Sequence, residues 1–139
     1  MDYFIFQSVP GRYDLRSELV PGRKDTWYAT RYRNEMDPGD TVFLWMAGDE
    51  NFRGLYGWGV ITSKPYMRPE WKSHGVDVEY KVKLERPILA RRIKSDPTLR
   101  DLLIFKAPQA SNFLLEPNQA HGLMRLIRDQ GERPPADLR

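Results

Sequence analysis

Gly54-Leu55-Tyr56-Gly57-Trp58-Gly59-Val60-Ile61-Thr62 reads as a strand by its branched and aromatic residues, yet alternate positions near its centre carry no side chain. A period of two places Tyr56, Trp58 and Val60 on one face, with Gly57 and Gly59 between Leu55 and Ile61 on the other. A bare strip of this kind invites close approach by a second backbone or a ring, or it bends the strand sharply in the wall of a barrel. Thr41-Val42-Phe43-Leu44-Trp45-Met46-Ala47 precedes it and is apolar on both faces, as suits a strand covered on both sides. Gly48-Asp49-Glu50-Asn51 joins the two as a hairpin-type loop. On the other flank, Val76, Val78, Tyr80, Val82 and Leu84 alternate with charged residues, a strand with one face in the core and one in water.

Outward from this centre the elements are shorter. Tyr3-Phe4-Ile5-Phe6 is a buried strand that ends at Gln7-Ser8 before a Pro10-Gly11 turn. Asp14 to Leu19 predicts one or two helical turns, and the polar, aromatic stretch from Asp25 to Met36 a short helix over part of its length. Asp37-Pro38-Gly39-Asp40 forms a β-turn. Pro65 to Gly75 reads as a loop, Ser95-Asp96-Pro97 as a helix start, Leu103-Ile104-Phe105 as a further strand, and Pro108 to Phe113 as a loop. A last helix begins at Pro117, with Ala120, Leu123, Met124 and Ile127 on one stripe, and ends at Gly131. Residues 1–130 then form one domain, and 131–139 a frayed tail or the stub of a linker. The fold class expected is α+β: a strongly bent mixed sheet or open barrel with short helices packed outside.

Composition narrows the function. The chain has 139 residues, no cysteine and two histidines, which excludes a disulfide framework, a zinc knuckle and a histidine-rich metal site. No apolar run is long enough to cross a bilayer and no signal peptide is recognisable, so a cytoplasmic protein without a membrane partner is expected. Twenty-two Lys and Arg face 19 Asp and Glu, mixed along the length, so a polybasic coating of nucleic acid or membrane is not the expectation. Four tryptophans are many for this length, and a weakly cationic, aromatic-rich domain can bind nucleic acid if stacking carries much of the affinity. Nucleophile elbow, Walker loop and metalloprotease helix are all missing, and no cofactor is implied. The remaining signal lies in tryptophans that a core does not require. Trp27 sits among polar residues, Trp71 in a loop, and Trp45 beside the glycine-bared strand. Each also reads as an ordinary core or rim residue.

The ordered series Tyr3-Phe4-Ile5-Phe6-Gln7-Ser8, Arg12-Tyr13-Asp14-Leu15, Thr26-Trp27-Tyr28, Arg31-Tyr32-Arg33, Pro38-Gly39-Asp40, Phe43-Leu44-Trp45, Gly54 to Gly59 and Ser111-Asn112-Phe113 resembles an EVE domain, a PUA-like family related to the YTH domains. The resemblance runs from about residue 3 to residue 128. It implies a PUA-like pseudobarrel and a non-catalytic reader of a flipped-out modified base, such as methylated or hydroxymethylated cytosine or N6-methyladenine. Nucleic acid, DNA rather than RNA, is the implied partner. An effector nuclease or restriction GTPase is implied in trans or in fused homologues. Carried onto this chain, Gln7 and Ser8 become polar pocket groups and Trp27 one wall of an aromatic cage. Trp45 becomes the opposite side or floor, and Ser111 and Asn112 the polar loop that closes the pocket. Trp71 falls where YTH domains place a second cage tryptophan. The arrangement implies a slot one base thick between Trp27 and Trp45. Arg31, Arg33, Arg53 and Lys72, near the expected mouth, are candidates for phosphate contact or plain solvated charge. Two other readings stay open: a structured-RNA module blind to modification, and a small nucleoside hydrolase, which needs a lysine–carboxylate pair that these segments lack.

Overall fold

The computed structural model describes residues 1–136. Its strands are β1 (Tyr3–Ser8), β2 (Lys24–Tyr28), β3 (Thr41–Met46), β4 (Gly54–Ile61), β5 (Tyr66–Arg68), β6 (Ser73–Leu89) and β7 (Asn112–Leu114). Its helices are α1 (Leu15–Glu18), α2 (Ala90–Lys94), α3 (Leu103–Lys106) and α4 (Pro117–Asp129). One sheet runs in the order β2-β6-β4-β3-β1-β7, with β5 paired to β6 off that path. Among the described residues only β1 and β3 are parallel, and the other pairs are antiparallel. This is the expected α+β, PUA-like pseudobarrel. No helix among the described residues is long and apolar enough to cross a membrane.

The sheet curls because β6 carries extra residues against β4, with register shifts between Leu55 and Gly57 and between Trp58 and Gly59. The bare strip on β4 is filled by the backbone of β6. A methyl on Gly57 would collide with the carbonyl oxygen of Val82, and one on Gly59 would lie 2.5 Å from that of Glu79. The same shifts overturn simple alternation, since an irregularity resets which face a residue takes. Tyr56 packs inside the curl, whereas Trp58 packs on the other face. Along β6, Val76, Val78 and Tyr80 point into the curl, while Leu84 and Ile88 point to the helix side.

Two cores result. Phe4, Phe6, Val42, Leu44, Met46, Trp27 and Tyr80 fill the curl, plugged by Leu15 and Leu19 of the α1 segment. Tyr3, Ile5, Phe43 and Trp45 on the opposite face meet Ile93, Ile104 and the predicted stripe of α4. With both faces covered, all six residues of β3 are buried, as its unbroken apolar run predicts. Pro117 opens α4 behind a capping box between Glu116 and Gln119.

Five element assignments are corrected. Lys24–Tyr28 is a strand and not a helix, because Thr26-Trp27-Tyr28 pairs with Gly75 to Asp77 of β6. The Pro65–Gly75 segment contains β5 and a 3-10 turn at Pro69–Trp71. Leu103–Lys106 is helical, burying Ile104, and Asn112–Leu114 is the strand that replaces the expected loop. The helix placed at Ser95 lies earlier, at Ala90–Lys94. Within the expected tail two residues are tied to the sheet: the Arg133 carbonyl accepts the Trp58 indole N–H at 2.9 Å, and a Glu132 carboxylate oxygen accepts the Glu85 amide at 2.7 Å. The rest of the expected tail, 137–139, lies outside the described residues.

Candidate functional site

β2 and β7 are the two edges of the curled path, and a seam runs between them. Asn112 of β7 clasps it. Its Nδ2 donates to the Tyr28 carbonyl at 2.8 Å, and its Oδ1 accepts from the amides of Thr30 at 3.0 Å and Arg31 at 3.4 Å. A cavity of about 340 Å3 opens beside this clasp, lined from the β1 side by Gln7, Ser8 and Ser111 and from the β2 side by Thr26, Trp27 and Tyr28. Arg12, Tyr13 and Trp71 complete its walls. That volume falls in the range of small-ligand sites.

Trp27 is held from behind. Its indole N–H donates to the Tyr80 hydroxyl at 2.9 Å, which lies 2.6 Å from the Tyr13 hydroxyl. Tyr13 in turn donates to the Asp25 carboxylate, itself paired with Arg23 at 3.0 Å. Burial pushes the Tyr80 hydroxyl up to about 12, and burial with the Asp25 hydrogen bond raises Tyr13 further still. Both phenols are therefore neutral at pH 7. The edge of Trp27 meets Tyr13 at 5.5 Å and 76°, so two aromatic walls are fixed against each other.

Trp71 is seated differently. Gly75 of β6 lies beneath it: a methyl there would come within 3.1 Å of the indole. Tyr28 stacks on Trp71 at 4.5 Å between ring centroids, and the Arg68 guanidinium lies 4.3 Å from its ring. Lacking a side chain at Gly75 is what lets the ring settle on the sheet.

Polar groups meet these walls. Gln7 spends its amide nitrogen on the carbonyls of Pro108 at 2.8 Å and Ala110 at 2.7 Å, fixing the loop before β7. Its backbone amide donates to the Ser111 carbonyl at 2.9 Å. Ser8 is buried, and its hydroxyl has no hydrogen-bond partner among the described residues. An unpaired buried hydroxyl costs ~1–3 kcal/mol, which a suitable ligand would recover.

Gln7, Ser8, Trp27, Trp71 and Ser111 of the expected set thus line one cavity. Asn112 supports it without lining it. Trp45 does not join them. It points to the helix-side core, 1% exposed, with Phe105 edge-on at 5.8 Å, while Trp27 points into the curl. No slot between Trp27 and Trp45 exists, since adjacent residues of β3 alternate faces and Trp45 takes the face away from β2's tryptophan. Lys72 follows Trp71, and Arg31 belongs to the clasped segment; both are exposed. Arg33 lies on the 3-10 turn beside Tyr32 and Glu35, and Arg53 lines a separate hollow with Trp45. The sequence reading missed Arg12, Tyr13 and Tyr28 as cavity residues and Tyr80 as the support of Trp27. The Arg12-Tyr13 pair stood within the series that carried the resemblance and was the available signal.

A curled mixed sheet with short helices packed against it defines a PUA-like pseudobarrel, with an aromatic cavity at its seam. The chain belongs to the EVE domain family, whose profile matches residues 2–126. No curated protein matches it. Among solved structures, a hypothetical protein from Leishmania major is 17% identical with a TM-score of 0.76, over 94% of this chain and 96% of that one. A Pseudomonas putida protein is 22% identical with a TM-score of 0.75, over 89% and 98%. Human THYN1 in complex with 5-methylcytosine-containing DNA is 17% identical with a TM-score of 0.71, over 96% and 100%. At these identities the likeness is one of fold.

Proposed function

We propose that this EVE domain reads a modified base in nucleic acid, DNA before RNA, by taking one extruded nucleotide into the seam cavity. The observation that carries this reading is the meeting of Trp27, Tyr13 and Trp71 with the unpartnered Ser8 hydroxyl in one cavity of about 340 Å3. The complex of human THYN1, a protein of the same fold, with 5-methylcytosine-containing DNA supports DNA as the partner.

The chemistry divides in two. Stacking on an aromatic ring supplies ~1–3 kcal/mol per base and tolerates any base. Identity must then come from edge contacts, for which Ser8 and Ser111 and the Gln7 carbonyl oxygen are placed. A mismatched edge leaves one of them unpaired, at ~1–3 kcal/mol. One buried methyl adds only ~0.8 kcal/mol, roughly fourfold, so the cavity must also penalise the unmodified base. Rigid walls do this: Trp27, locked to Tyr80, and Trp71, locked by Tyr28 and Arg68, do not collapse onto the space a methyl would fill. The proposed act is binding without bond cleavage. Neither a carboxylate, a histidine nor a lysine lines the cavity among the described residues, so its serines have no base beside them.

The test is a panel of oligonucleotides identical but for one modified base. Affinities are expected to separate by several-fold, and Trp27→Ala or Trp71→Ala to erase the separation while circular dichroism stays native. Trp45→Phe is expected to leave the separation intact. Equal binding across cytosine and adenine modifications, in single and double strands, would overturn the reading.

A further inference from the structure

Trp45 and Arg53, displaced from the base cavity, lie together in a second hollow of about 100 Å3, lined also by Gln7, Ala47, Gly48, Ile104, Phe105 and Pro108. Trp45 is 1% exposed and its indole N–H has no hydrogen-bond partner among the described residues. The Arg53 Nε–H is likewise buried and unpartnered. Among the described residues no carboxylate lies at ion-pair distance from Arg53, although its main chain is fixed on both sides, by the Asp49 carbonyl at 2.8 Å and the Ala90 amide at 2.8 Å. Arg53 is half-buried, but its Nε–H is shut off from water, and an anion in the hollow would answer both that donor and the Trp45 indole N–H. The space suffices for more than a water, which needs only ~10–15 Å3 of it.

Two N–H donors, one of them cationic, with no acceptor side chain in the lining but Gln7, select an oxyanion. Gln7 is also a wall of the base cavity, so the two spaces share a partition. Its hold on the Pro108 and Ala110 carbonyls fixes the loop that lies beside both. We infer that the hollow is a phosphate subsite. Its source is either a phosphodiester of the bound strand or free inorganic phosphate. Only the first source rests on the base-reading function proposed above.

Nuclear magnetic resonance of the four indole N–H groups, with Trp45→Phe identifying the Trp45 signal, tests it in the whole chain. Inorganic phosphate is expected to shift the Trp45 signal saturably in the wild type and not in Arg53→Gln, with the other three indoles unmoved. If a strand phosphate is the natural occupant, Arg53→Gln also lowers the slope of log affinity against log salt for the modified oligonucleotide by ~1. An unchanged slope with retained phosphate binding assigns the free ion. A wild-type protein that neither responds to phosphate nor loses slope on Arg53→Gln overturns the subsite. Should no oligonucleotide bind at all, the base-reading proposal falls and the phosphate titration alone decides the subsite. Should Arg53→Gln fail to fold, calorimetric titration of Trp45→Phe with phosphate decides instead: weaker binding than wild type upholds the subsite, and equal binding overturns it.

Discussion

Tyr80 makes the argument at the scale of one residue. Its ring completes the core of the curl, and its hydroxyl is the acceptor for the Trp27 indole among the described residues. Tyr80→Phe keeps the ring and deletes the acceptor, leaving a buried N–H unpaired. The expected cost is ~1–3 kcal/mol in urea unfolding, with weaker discrimination among modified bases because Trp27 gains freedom. The same residue carries a pH signature. A phenol in the unfolded chain ionises near 10.0, while the folded environment holds Tyr80 protonated to about 12. Between those values the unfolded chain has released a proton that the fold retains, so the fold binds more protons and loses stability as pH rises. The contribution is complete below pH 10 and is gone once pH passes 12. Unfolding midpoints measured from pH 8 to 12 are expected to fall over the upper part of that range, and less steeply in Tyr80→Phe. Parallel curves for the two proteins would show that Tyr80 is not the group responsible.

Asn112 shows what a short element can do. β7 has three residues, too few for periodicity to reveal, and its place is settled by pairing with β1 and by one amide that reaches across the seam. Asn112→Ala strips the Tyr28 carbonyl and the Thr30 amide of a partner and is expected to cost ~1–3 kcal/mol. Faster hydrogen exchange at Thr30 and Arg31 than at the β3 amides would place the damage at the seam, and unchanged exchange there would refute the clasp. Legibility in the sequence follows the same division. β3, β4 and α4 were readable because their side chains meet two covered faces or one stripe, and burial imposes a period. β2, β5 and β7 were not, since edge strands of three to five residues are made by their neighbours and not by their own pattern. Leu103-Ile104-Phe105 misled because a short apolar run suits a strand and a helical turn alike. Gln7, Ser8, Trp27, Trp71 and Ser111 came together through the ordered resemblance. Trp45 was misplaced because a spacing in sequence does not say which face of a curled sheet a residue takes.

Across the whole molecule, charge and exposed apolar surface point to different kinds of recognition. The net charge is only +3, with both signs spread along the chain. By contrast, four of the large exposed apolar side chains cluster by sequence and pairing around the cavity: Val9 and Tyr28 line it, and Tyr66 and Met67 stand on β5. Tyr28 and Tyr66 both pair with Gly75, from opposite sides of β6, so the sheet register sets these rings in one row. Under the proposed base-reading function, a surface of this composition would hold a strand by stacking more than by phosphate neutralisation. Arg12 lines the cavity, and Lys72 and Arg31 adjoin its aromatic residues in the chain. Three such cations on a single strand correspond to a salt slope of about −2, against about −4 to −7 for a protein that engages six to ten phosphates. Binding of a modified oligonucleotide measured between 50 and 200 mM salt is therefore expected to weaken by roughly 20-fold, and by more only if Arg53 also holds a strand phosphate. Tyr66→Ala lies outside the cavity, so it should weaken an oligonucleotide with flanking bases and spare the isolated modified nucleoside. A steep salt slope, with affinity indifferent to Tyr66 and to Trp27, would instead mark a module that follows the backbone of structured RNA, in which the seam cavity has no part in binding.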